Sequence, residues 1–66
     1  MADEVGDVER WRAFLGGFGM SMEEWPPASG RFALLMATDR PGVRTVLPVQ
    51  VLFDGTGAFT SLDRAR

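Results

Sequence analysis

Three features of the chain point to an α+β domain, with an N-terminal amphipathic helix packed on a three-stranded antiparallel β-meander. Apolar residues recur every three to four positions near the start and every second position in the back half. Two strong turn motifs punctuate that back half, as a meander requires. Nothing divides the chain, so residues 1–66 form a single domain.

Val5, Val8, Trp11, Leu15 and Phe18 form a stripe at helical spacing, and Phe14 widens it. Acids crowd the first turn, where the helix dipole favours them, and Asp3 or Asp7 suits the N-cap. Gly16, Gly17 and Gly19 then end the helix, since glycine costs about 1 kcal/mol inside one. The expected helix runs from about 4 to 16. Ser21-Met22-Glu23-Glu24 next has the Ser-x-x-Glu form of a capping box. Trp25 precedes Pro26-Pro27, and a residue before proline is pushed out of the helical region. A helical turn over 22–25 follows, with Trp25 packed back on the core.

From residue 31 the pattern is that of strands. Residues 31–38 are almost continuously apolar, and Asp39-Arg40-Pro41-Gly42 supplies turn chemistry after them. Over 43–53, Thr45, Leu47, Val49, Val51 and Phe53 share one face, leaving Arg44, Val46, Pro48, Gln50 and Leu52 on the other. Pro48 cannot donate a ladder hydrogen bond, so it marks an edge or a bulge. Asp54-Gly55-Thr56-Gly57 is a second hairpin turn, and residues 58–62 return as a short third strand before the end frays.

Composition narrows the function. The 66 residues are 45% hydrophobic, with two Trp and five Phe, but contain neither Cys nor His. Disulfide and zinc reinforcement are therefore unavailable, which leaves self-association as the usual support for so short a chain. A homodimer is expected. All seven positive charges are Arg, and Lys, Asn, Ile and Tyr are absent. All four have AA-, AU- or UA-initial codons, which points to a high-GC bacterial gene or to a phage or mobile element growing in such a host. The acidic start lacks the basic and apolar regions of a signal peptide, and no apolar run approaches the roughly 20 residues of a membrane span. A cytoplasmic location with no membrane partner is the corresponding expectation.

Nucleophilic catalysis of the usual kinds lacks its base, because Ser21, Ser29 and Ser61 have no His, Lys or Cys to work with. Paired carboxylates are limited to Glu23 with Glu24 or Asp54 near Asp63, and cap and turn roles account for them. The glycines at 16, 17 and 19 end a helix instead of opening one, so they do not form a phosphate loop. Asp54-Gly55-Thr56-Gly57 lacks the ligand spacing of a calcium loop. No catalytic, cofactor or metal residues are expected.

Recognition remains. The leading expectation is a small non-catalytic protein-binding or regulatory protein, of inhibitor or adaptor type. Two apolar groups are its candidate contacts: Met20, Met22 and Trp25 beside the Pro-Pro connector, and Val46, Pro48 and Leu52 on the less apolar strand face. One alternative is a dimeric β-ribbon nucleic-acid binder using Arg31, Arg40 and Arg44, although a pI near 4.8 opposes it. Another is a minor structural component of a larger assembly.

Overall fold

The computed structural model of the chain describes residues 6–65, so the roles expected of Asp3 and Val5 lie outside the described residues. Helix α1 spans Asp7–Gly16, and four strands follow: β1 Met20–Glu24, β2 Arg31–Ala37, β3 Arg44–Phe53 and β4 Phe59–Arg64. The strands form one antiparallel sheet in the order β1-β2-β3-β4. The α+β class holds, but the sheet has four strands where three were expected.

The additional strand is the segment read as a helical turn. Met22 faces Leu34 and Glu24 faces Phe32, so residues 20–24 are the edge of the sheet. Met20, Met22 and Glu24 alternate with Ser21 and Glu23, and burying Met22 beside Leu34 outweighs the local helical preference. Glu24 does not close a capping box: its Oε2 accepts the Gly30 N–H at 2.9 Å instead. That bond ties the connector back to the strand. Trp25 does not pack on the core but stands 70% exposed, a second correction.

Helix α1 lies across one face of the sheet. Ten residues at 1.5 Å rise give about 15 Å, close to the roughly 14 Å width of four strands. Each sheet edge is tied to it. The Phe59 N–H of β4 donates to Asp7 Oδ2 at 2.7 Å, and Arg12 Nη1 donates to the Met22 carbonyl of β1 at 3.0 Å. Both ties occupy backbone groups on outer strands, which limits further strand pairing there. Gly6 is the N-cap and makes no side-chain capping bond, so Asp7 serves the sheet and not the cap.

Between helix and sheet lie Leu15, Met22, Phe32, Leu34, Val51 and Phe53, with Val8, Trp11, Met20, Leu47 and Val49 against them. Val51, the only fully buried large side chain among the described residues, sits at the centre of this layer. Phe14 and Phe18 leave the expected stripe. Phe18 follows the end of the helix, where the 3.6-residue period no longer places it. Phe14 packs edge-on against Trp11 and Phe18 while remaining exposed.

Pro48 sits in an irregular stretch of β3. Ala33 faces Gln50 whereas Leu35 faces Val46, so β3 accommodates two extra residues there. An even insertion preserves which side chains face inward. Leu47, Val49 and Val51 therefore stay beneath the helix while Val46, Gln50 and Leu52 keep the opposite face.

Candidate binding face

The helix covers one side of the sheet and leaves the other open. On the open side, two arginines lie across the strands. Arg31 extends from β2 toward Asp63 of β4, with Nη1 to Oδ2 at 3.8 Å, and Arg44 of β3 donates to Ser21 Oγ of β1 at 3.3 Å. Long arginine stems laid over a sheet shield apolar area while keeping their charge hydrated. Leu35 and Leu52 are half-buried although, among the described residues, no second layer lies above them.

The shielding is incomplete at one end. Trp25, Pro26, Arg31, Ala33, Val46, Gln50 and Ala65 line an open hollow of about 430 Å³. Val46 is 59% exposed at its rim. Gln50, the one buried polar residue among the described residues, lies on this face and donates from Nε2 to the Arg64 carbonyl at 3.1 Å. Its amide is thereby held in place. Arg31 Nη1 is buried, and among the described residues it has no hydrogen-bond partner.

The expected contact residues divide accordingly. Val46 and Pro48 are exposed and Leu52 is half-buried, all on the open face. Trp25 joins them from the connector. Met22 is in the core and Met20 is half-buried against it, so neither lies beside Trp25 as a surface cluster. The three arginines of the nucleic-acid alternative are not brought together. Arg31 opens β2, whereas Arg44 pairs with Ala37 at its far end beside the Arg40 turn. Six residues of strand separate the two ends, about 20 Å. Neither a family model, a curated protein nor a solved structure matches the chain.

Two further surfaces were not anticipated. Phe14 and Phe18, 62% and 65% exposed, continue the Phe59–Trp11 contact into an aromatic ridge on the helix side. The expected helix end at about residue 16 already put Phe18 beyond the helical stripe, whereas nothing in the spacing marked Phe14 as exposed. A second hollow, about 280 Å³, brings Glu24 and Asp54 to one cleft with Ser29 and Phe53. Both carboxylates are engaged by backbone: Glu24 with Gly30, and Asp54 Oδ1 with the N–H groups of Thr56 and Ala58. The Thr56 hydroxyl, with these backbone donors, holds Asp54 below the usual carboxylate range. A general acid needs the opposite shift.

The other carboxylate pairs do not converge. Glu23 and Glu24 occupy opposite faces of β1, and Asp63 pairs with Gln50, four residues of strand from Asp54. No group of three or more acidic side chains is placed to hold a metal ion among the described residues. No helix among them is long and apolar enough to cross a membrane.

Proposed function

We propose that this chain is a small non-catalytic protein-binding domain that works by docking its open sheet face on a protein partner. It would act in the cytoplasm as an inhibitor or adaptor. The exposed Trp25 and Val46 beside the hollow carry this reading. Large aromatics in partly formed pockets are the usual energetic centres of protein interfaces. A second copy of the chain is one such partner, and small domains without disulfides or metals commonly gain stability that way.

Substituting Val46→Asp places a charge in the middle of this face without touching the core. Binding to the protein retained by the immobilised chain from its host lysate is expected to weaken by at least about tenfold, roughly 1.4 kcal/mol. Phe14→Ser, on the helix side, is expected to leave that affinity unchanged. Equal affinities for wild type and Val46→Asp by surface plasmon resonance, or retention of no protein, contradict the proposal. Salt-sensitive retention of DNA, lost in an Arg40→Ala, Arg44→Ala variant, supports the nucleic-acid alternative instead.

A further inference from the structure

We infer that the chain pairs with a second copy of itself along the free edge of β4, with Leu62 of each copy on the two-fold axis. The two four-stranded sheets then join into one continuous sheet. This contact lies apart from the docking surface proposed above, and it sets the open faces of the two copies side by side.

Backbone direction selects Leu62. The Ala65 N–H donates to the Pro48 carbonyl of β3 at 3.2 Å, so Asp63 and Ser61, at alternate positions before it, also turn their backbone groups toward β3. Leu62 lies between them and turns its N–H and carbonyl outward. On either side the edge is closed: Asp7 Oδ2 holds the Phe59 N–H, and Asp63 Oδ1 holds the Arg64 N–H at 2.8 Å. The opposite edge of the sheet is closed at its middle, where the Met22 carbonyl accepts from Arg12. Leu62 is 54% exposed at the open stretch, where an edge kept from pairing usually carries a charge or a proline.

Self-pairing satisfies this stretch in one register. With Leu62 opposite Leu62, the copies exchange two backbone hydrogen bonds at the axis. Ser61 then faces Asp63 of the second copy on the open side, hydroxyl beside carboxylate. Leu62 and Phe59 share the helix side with Val51 and Phe53, so the leucines and phenylalanines of both copies line up across the axis. Arg64, on the same side through its pairing with Val49, faces Thr60 of the second copy, next to the Phe59 that Asp7 holds. Among the described residues neither Arg64 nor Asp7 has a salt-bridge partner, and the two-fold brings these opposite charges together twice. Moving the axis to Arg64 would instead set two guanidinium groups face to face, which is unfavourable. An edge paired about a two-fold is used up by one partner, and the β1 edge is closed, so association stops at two copies.

The chain has no cysteine, so single-cysteine variants report which positions meet. Leu62→Cys is expected to form a disulfide-linked dimer on mild oxidation, because facing residues of an antiparallel pair stand about 5.5 Å apart at Cα, within disulfide reach. Val46→Cys, on the open face, is expected to stay monomeric under the same conditions. Sedimentation equilibrium of the full chain should give a mass rising with concentration from 7.2 kDa toward twice that value. Leu62→Glu, which sets two carboxylates face to face on the axis, should weaken association at least about tenfold with an unchanged circular dichroism spectrum. Arg64→Glu should weaken it about threefold, and adding Asp7→Asn, which keeps an acceptor for the Phe59 N–H, should recover part of the loss. A monomer at every concentration up to about 1 mM overturns the inference. So does cross-linking of Val46→Cys as fast as Leu62→Cys, or association indifferent to Leu62→Glu.

Discussion

Replacing Phe53 by alanine is expected to cost about 3–5 kcal/mol, the usual range for deleting a buried phenylalanine. Phe53 is buried at the end of β3, packs edge-on against Phe32 with ring centroids 5.1 Å apart, and touches Phe59 at 6.3 Å. It thus joins β2, β3 and β4 beneath the helix. A domain of this size has a total stability of only about 3–10 kcal/mol. The loss is therefore comparable to the whole, and Phe53→Ala should be largely unfolded at 37 °C. Urea denaturation followed by far-ultraviolet circular dichroism measures it. A destabilisation below about 1 kcal/mol would show that Phe53 is not part of a close-packed core.

Gly30→Ala is expected to be nearly as damaging, by a different route. Gly30 has φ +78°, and a Cβ built there would stand 2.5 Å from the Phe53 carbonyl oxygen. The same residue bonds at both ends: its carbonyl accepts the Phe53 N–H at 2.8 Å and its N–H donates to Glu24. Moving it to relieve the clash weakens both bonds. Left-handed strain of about 1–2 kcal/mol for a residue with a Cβ, with the weakened bonds at roughly 1 kcal/mol each, gives a loss of about 2–4 kcal/mol. Gly55→Ala is the control, since its φ is not left-handed and nothing lies within 4 Å of an added Cβ. Thermal denaturation of the pair should show a large drop for Gly30→Ala and little change for Gly55→Ala. Equal effects would remove the close approach of the connector to β3 from the account.

How legible the fold was depended on how much residue type and period agreed. They agree over Arg44–Phe53, whose alternation sorts the helix side from the open side, and over the turn residues that close the β2–β3 and β3–β4 hairpins. They disagree at Met20–Glu24. Met and Glu favour helices, Ser21 and Glu24 imitate a cap, and five residues are too few for a two-residue period to stand out. Only the pairing with β2 decides that segment, and pairing is non-local. The binding face was half legible for the same reason. Val46, Pro48 and Leu52 followed from alternation along one strand. Trp25 reaches their side through a connector path that local preference does not encode, and Arg31 reaches Asp63 across β3.

Docking through the open face requires the partner to cover the side of the sheet opposite the helix. Hydroxyl-radical footprinting of the complex, read by mass spectrometry, measures this at the side chains themselves. Binding should suppress oxidation of Trp25 and Val46 and leave Phe14 and Phe18 oxidised as in the free chain. Protection of Phe14 and Phe18 with Trp25 still fully reactive would place the interface on the helix side and contradict the account.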